Sequence, residues 1–147
     1  MGVKKKIFMV VGCPGSGKSW VCEKLSKQFQ YVRHDDHLKG YVPEIVRQAK
    51  TATRPLLIET PFSVSQIKEP LEKQGFEVVP LYIQERAEVI RERYQKREGK
   101  DIPEGHLTRQ DTYKKRAAEQ GAFSGSSTEI LQRLRETQPE SRAFPWE

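Results

Sequence analysis

Cysteine is scarce in this chain: Cys13 and Cys22 are the only two among 147 residues. They are not spaced as a Cys-x-x-Cys pair, and no nearby histidine or further cysteine completes a metal site with them. A disulfide framework is therefore excluded, and a reduced, cytosolic protein is expected. The three histidines, His34, His37 and His106, show no ligand spacing either. Long hydrophobic runs are missing, with nothing approaching the roughly 20 apolar residues that span a bilayer, so no membrane segment is expected. Lys4 to Lys6 followed by Ile7 to Val11 mimics the start of a secretory leader, but the apolar run stops at Val11 in a glycine-rich turn. The lysines are better read as a solvated strand entry. Gly2 opens no myristoylation motif, because Lys6 stands where Ser or Thr is required. Internal repeats and long linkers are also missing, so residues 1–147 are expected to form one domain.

What the chain has in excess is positive charge. Lys and Arg outnumber Asp and Glu by 26 to 20, for a net charge of +6. Such a balance suits a polyanionic partner or serves solubility alone.

The most specific local pattern is Gly12-Cys13-Pro14-Gly15-Ser16-Gly17-Lys18-Ser19, a full Gly-x-x-x-x-Gly-Lys-Ser phosphate loop directly after the apolar run Ile7 to Val11. Its glycines let successive backbone N–H groups turn toward phosphates. Lys18 can reach the β and γ oxygens, and the Ser19 hydroxyl is placed to ligate Mg²⁺. Binding of ATP or GTP with Mg²⁺ follows as the expectation.

The order of the elements extends the loop into a fold. A helix is expected from Lys18, because Val21, Leu25 and Phe29 recur on one face. Tyr31 to His34 read as a second strand ending in Asp35-Asp36, and a helix with Pro43 in its first turn carries Val42, Ile45, Val46 and Ala49 inward. Pro55 to Ile58 read as a third strand ending in Glu59-Thr60. Ser63 and Gln66 form a capping box for a helix that Pro70 should kink or split. Phe76 to Ile83 read as a fourth strand and Glu85 to Arg97 as a charged helix. A breaker at Gly99 to Pro103 precedes a polar helix over His106 to Glu119. Gly121 to Ser126 read as a Gly/Ser loop, and Ser126 with Glu129 caps a last helix. The alternation predicts an α/β fold, a parallel sheet of four to five strands flanked by helices, with ligands at the carboxyl ends of the strands.

Those carboxyl ends carry chemistry. Asp35 or Asp36 can accept the proton of an attacking hydroxyl or hold a water on Mg²⁺, and Glu59 is placed to support the metal. On the charged helix, Arg86, Arg93 and Arg97 group along one flank, suited to stabilising transferred charge. Glu98 to Pro103 reads as a lid that excludes water. Trp20 and Trp146 read as packing residues in preference to base-stacking platforms, and Lys114, Lys115 and Arg116 as a solvated run that would meet a nucleic-acid backbone if the substrate were one.

Together these motifs resemble the small P-loop kinases, the kinase-type branch of the P-loop nucleoside triphosphate hydrolase fold, and most closely the bacteriophage polynucleotide 5′-kinases. The loop matches including its Cys13-Pro14 filling, and Asp35-Asp36 is similar to the family's Asp-Asp motif, which implies Asp35 as general base. Glu59-Thr60 resembles its strand-end acid and threonine, with Glu in place of Asp, and Arg93-Tyr94-Gln95-Lys96-Arg97 resembles its lid helix. With the resemblance, which runs to about residue 119, Lys18, Asp35, Arg93 and Arg97 are expected as catalytic, Asp36, Lys39, Glu59 and Thr60 on the substrate side, and a lid at about 91–105; the residues beyond it are expected to form a C-terminal helix and tail at about 126–147. Two departures bear on the acceptor. Leu38 stands where the family places a phosphate-gripping arginine, leaving Lys39 as the nearest cation, and the segment from Asp36 to Glu59 is much shorter.

The leading expectation is an ATP- and Mg²⁺-dependent cytoplasmic kinase acting on a hydroxyl, with a nucleic-acid hydroxyl favoured. The alternatives are a kinase of nucleosides, nucleotides or other small metabolites, and a nucleotide-binding switch with no phosphoacceptor.

Overall fold

A computed structural model describes residues 5–12, 15–33, 41–60 and 64–137. Among them the chain forms β1 (Lys6–Val11), α1 (Lys18–Lys24), β2 (Gln30–Arg33), α2 (Tyr41–Thr51), β3 (Leu56–Thr60), α3 (Val64–Lys73), β4 (Glu77–Ile83), α4 (Ala87–Glu98), α5 (Glu104–Gln120), β5 (Phe123–Gly125) and α6 (Ser127–Glu136). The strands make one parallel sheet in the order β2-β3-β1-β4-β5.

The continuous apolar run of β1 is explained by its central place, since both of its faces are covered. Ile7, Met9 and Val11 join Ile45 and Ala49 of α2, Ile67 and Leu71 of α3, and Tyr113 and Ala117 of α5 on one side. Phe8 and Val10 join Val21 and Cys22 of α1, and Ile130, Leu131 and Leu134 of α6, on the other. Strands buried on both faces read as unbroken hydrophobic segments, which is why β1 and Leu56 to Ile58 show no alternation. The chain leaves β1 toward β2 through α1 and passes from β3 across to β4 through α3. The switch point of the sheet therefore lies at the carboxyl end of β1, where the loop begins.

Four local expectations are corrected. The first helix stops at Lys24, with Leu25 at its C-cap. Val21, Leu25 and Phe29 are all buried as their spacing implies. Phe29 nevertheless reaches the core through a turn, in which i→i−3 bonds from Leu25 to Cys22 and from Ser26 to Glu23 tighten the chain ahead of β2. Second, α3 runs on through Pro70 without splitting. The proline removes one hydrogen-bond donor, and the packing of Ile67 and Leu71 on either side holds the helix together. Third, the Gly/Ser segment after Gly121 contributes a fifth strand, pairing Phe123, Ser124 and Gly125 with Leu81, Tyr82 and Ile83. Composition hides it, because ladder bonds and the Phe123 ring under the Arg133 guanidinium, 4.3 Å from its centroid, hold it in place. Fourth, Trp20 does not pack: it is 42 % exposed.

The capping box of α6 forms as expected, with Ser126 Oγ accepting from the Glu129 N–H and the Glu129 carboxylate accepting from the Ser126 N–H. No helix among the described residues is long and apolar enough to cross a membrane.

Candidate nucleotide and phosphoryl-transfer site

The loop closes on itself because glycine occupies its points of contact. A Cβ on Gly12 would stand 2.4 Å from Ser16 Oγ and 3.3 Å from Ile83 Cβ. Gly17, at the N-cap of α1, has φ 104° and ψ 16°, a left-handed conformation that side-chain-bearing residues rarely adopt. Ser16 Oγ is buried and finds no hydrogen-bond partner among the described residues. The Lys18 ammonium folds over the loop and donates to the Gly12 carbonyl at 2.5 Å. A buried hydroxyl without a partner, a backbone bared by glycine and an ammonium at the mouth together fit a polyphosphate.

On the α1 side of the sheet, β2 and β3 add a polar cluster. Their parallel register sets Arg33 beside Glu59. Tyr31 and Arg33, two apart on β2, share a face of the sheet with Leu57 and Glu59 on β3. The Ser19 hydroxyl donates to both Glu59 oxygens, at 3.0 and 3.1 Å, and the Tyr31 hydroxyl donates to Glu59 Oε1. Arg33 Nε lies 3.9 Å from Glu59 Oε2, and its Nη2 donates weakly to Ser19 Oγ at 3.4 Å. Burial first, and then the hydrogen bond to Glu59, push the Tyr31 phenol up to about 12, so it remains a donor at neutral pH. A hydroxyl backed by a single carboxylate is a hard-oxygen pair suited to Mg²⁺, which takes one or two protein ligands and completes its shell with water and phosphate. Ser19 and Glu59 thus fit the expected metal position. Tyr31 and Arg33 were not apparent as site residues from the sequence; the signal available was their two-residue spacing on a strand that runs into Asp35-Asp36.

The arginine helix meets the loop at Gly15, where an added Cβ would stand 3.1 Å from the Ile90 carbonyl, and through Arg93. Arg93 Nη1 donates to the Ser16 carbonyl at 3.0 Å. Arg97 turns instead to Glu98, at 3.1 Å, and lies 5.5 Å from the Tyr94 ring centroid. Arg86 occupies the exposed N-cap position of α4. Ile90, Tyr94 and Ile102 pack with Leu107, joining α4 and α5 into a hairpin around the 99–103 connection. His106 meets Tyr94 edge-on at 5.8 Å. Burial, followed by the charges of Arg109, Lys18 and Arg97, holds its imidazolium below the ordinary histidine range.

A second network braces the loop from the β4–β5 side. Glu85 Oε1 accepts from the Ser127 N–H at 2.8 Å and from the Ser127 hydroxyl at 2.9 Å. Gln110 clamps the Glu85 backbone, accepting from its N–H at 2.8 Å and donating to its carbonyl at 2.9 Å. A Cβ on Gly17 would stand 2.9 Å from Ser127 Cβ. Glu85, Gln110 and Ser127 carried no motif that sequence reading could find.

Of the remaining expected residues, Thr60 alternates to the other face of the sheet from Glu59 and is fully buried. Cys13, Pro14, Asp35, Asp36 and Lys39 lie outside the described residues. Cys22 is buried, and desolvation raises its thiol far above the usual range. Lys114, Lys115 and Arg116 are exposed on α5.

No protein-family model matches the sequence, and no curated protein does. Solved structures do match. A gluconokinase from Sinorhizobium meliloti 1021 is 18% identical with a TM-score of 0.60, over 92% of this chain and 97% of that one. The tunicamycin resistance protein of Deinococcus radiodurans is 12% identical with a TM-score of 0.65, over 92% of this chain and 95% of that one. A de novo designed protein of the P-loop NTPase fold is 16% identical with a TM-score of 0.57, over 95% and 92%. At such identities the likeness establishes the fold: this chain has the P-loop NTPase fold.

Proposed function

We propose that the chain is an ATP-dependent kinase that transfers a phosphoryl group to the hydroxyl of a small metabolite. The observation that carries the proposal is the convergence on one loop of Lys18, Arg93 and the Ser19–Glu59 pair, with Arg33 on the far side of that pair. ATP supplies the transferable phosphoryl group and Mg²⁺ neutralises its charge. Lys18 and the loop N–H groups hold the phosphates, and Ser19 and Glu59 hold the metal. Arg93 offsets charge on the transferred group, for which an arginine contributes about 10³ or more in rate. Asp35, two residues beyond the end of β2, is the base that takes the hydroxyl proton on the strength of the family resemblance. Arg97 and the 91–105 hairpin serve as the lid, and Asp36 and Lys39 belong to the acceptor side, whereas the fully buried Thr60 has no surface to offer a substrate.

A gluconokinase among the structural neighbours supports a small hydroxyl-bearing acceptor. Leu38, in place of a phosphate-gripping arginine, supports it further. The second reading is a nucleic-acid hydroxyl, favoured by the net charge of +6 and by exposed Lys114, Lys115 and Arg116. A screen with γ-labelled ATP against sugars, sugar acids, nucleosides, nucleotides, single-stranded DNA and RNA separates the two. Label on a sugar or sugar acid supports the first reading and label on an oligonucleotide end the second. Transfer only to a nucleotide phosphate would remove the need for a base at Asp35 and overturn that assignment.

A further inference from the structure

Glu59 is a nearly buried carboxylate on a side chain with several rotatable torsions, and it must be held before it can serve a metal site with a fixed geometry. Three donors surround it among the described residues, and they differ in how firmly they hold it. Ser19 donates to both oxygens, but Ser19 is itself the expected metal ligand. Arg33 ends β2 with its side chain 61 % exposed, and its Nε stands 3.9 Å from Oε2. A solvated guanidinium at that range balances charge without fixing a geometry. Tyr31 differs from both. Its ring packs against the cluster that contains Val21, Cys22 and Leu57, and its hydroxyl donates to Glu59 Oε1. The register sets Tyr31 opposite Leu57, so the phenol reaches one pair along the strands to meet the carboxylate.

We propose that Tyr31 is a positioning residue for the metal of the donor site: by holding Oε1 it keeps the Glu59 carboxylate turned to the Ser19 hydroxyl. A hydroxyl has one proton and two lone pairs, so a Ser19 whose proton is taken by Glu59 keeps lone pairs for a cation. Core packing thereby fixes the metal ligand through a chain of two hydrogen bonds, from Tyr31 to Glu59 and from Ser19 to Glu59. Arg33 acts in the opposite sense, because its Nη2, 3.4 Å from Ser19 Oγ, competes with a metal for that oxygen. The inference rests on the reading of Ser19 and Glu59 as the Mg²⁺ position and adds the residue that holds the pair in register.

The test measures binding of inorganic tripolyphosphate by calorimetry, once as its magnesium complex and once as the free anion in EDTA. The metal's affinity for the free anion is the same throughout, so any change in the ratio of the two affinities between a variant and the unaltered protein is a change in metal affinity at the site. Tyr31→Phe keeps the ring and removes only the hydroxyl. It should lower that ratio by about 10- to 100-fold, the usual cost of losing a partner that orients a metal ligand, and leave the free anion within about twofold. Glu59→Ala should lower the ratio too, and adding Tyr31→Phe to it should change the ratio by less than about twofold, because the phenol acts through the carboxylate. Arg33→Gln should leave the ratio unchanged or raise it. An unchanged ratio in Tyr31→Phe beside a lowered one in Glu59→Ala would overturn the positioning role alone. So would equal losses with and without the metal, a fully additive loss in the double variant, or a loss in Arg33→Gln as large as in Tyr31→Phe. A ratio unmoved by Glu59→Ala would overturn the metal position itself, and an unaltered protein that bound neither form would overturn the donor-site reading.

Discussion

Replacing Gly17 by alanine would bring a methyl group to 2.9 Å from Ser127 Cβ and 3.2 Å from Arg93 Nη1, on a backbone held at φ 104°. Two penalties combine. A residue with a Cβ costs about 1–2 kcal/mol in a left-handed conformation, and forcing a carbon into a filled contact costs about 1–3 kcal/mol. The arginine tip can swing away. Ser127 cannot, because its N–H and hydroxyl are both bound to Glu85. The sum is about 3 kcal/mol, which lowers the thermal midpoint of a chain this size by about 6–12 °C. Gly75 supplies the control, since it has φ 92° and an added Cβ there meets nothing within 4 Å. Gly75→Ala should therefore show the conformational penalty alone. Urea denaturation of both variants, with unchanged slopes, gives the difference, expected at about 1–3 kcal/mol. In a double-mutant cycle, Ser127→Gly should recover that difference in the Gly17→Ala background. Equal destabilisation at Gly17 and Gly75, or a cycle without coupling, would refute the idea that Glu85 and Ser127 wall the loop.

The same network predicts that Glu85→Ala destabilises by about 1–3 kcal/mol, because the buried Ser127 N–H loses its acceptor, while Glu85→Gln, which keeps an acceptor, costs less; urea curves decide. For His106, a folded pKa below the unfolded value of about 6.5 means that the unfolded chain binds the extra proton, so the stability it contributes is present above that pH and falls as pH drops through it. An NMR titration should place the His106 midpoint below about 6.5 and move it upward when tripolyphosphate screens Lys18, Arg97 and Arg109; a midpoint at or above 6.5 contradicts the assignment. Arg93→Ala should lower turnover by about 10³, and Arg93→Lys should not restore it, because a single ammonium cannot reproduce the guanidinium fork. Arg97→Ala should lower turnover with little change in ATP affinity, the signature of a lid residue; loss of affinity with intact turnover would remove it from the lid.

Much of this architecture was legible in the residues themselves. The spacing of Gly12 to Ser19 behind an apolar strand sets the loop and its place in the sheet, and the inward positions Val21, Ile45, Ile67 and Ile130 follow from helical periodicity. What stayed hidden depends on neighbours far away in the chain. The three-residue β5 exists through pairing with β4, and its Gly-Ser composition carries no strand signal. Pro70 carries a strong local signal that tertiary packing overrides. Glu85, Gln110 and Ser127 form a network across 42 residues of sequence with no motif to announce it. Tyr31 read only as part of the second strand, and the parallel register of β2 with β3 brings its hydroxyl to Glu59. Trp20 shows the limit of hydrophobicity as a guide, because its indole stays 42 % exposed while its neighbours Val21 and Cys22 are buried.

The central claim is that ATP held by the loop transfers its γ-phosphoryl group to a hydroxyl, leaving ADP. Phosphorus-31 NMR of the protein with MgATP and a pooled set of hydroxyl-bearing metabolites tests it in one tube. A phosphomonoester resonance that grows in step with ADP, and is lost in Lys18→Ala, is the expected result. ADP accompanied only by inorganic phosphate, or ATP bound and left intact, would contradict the claim and make the chain a nucleotide-binding module.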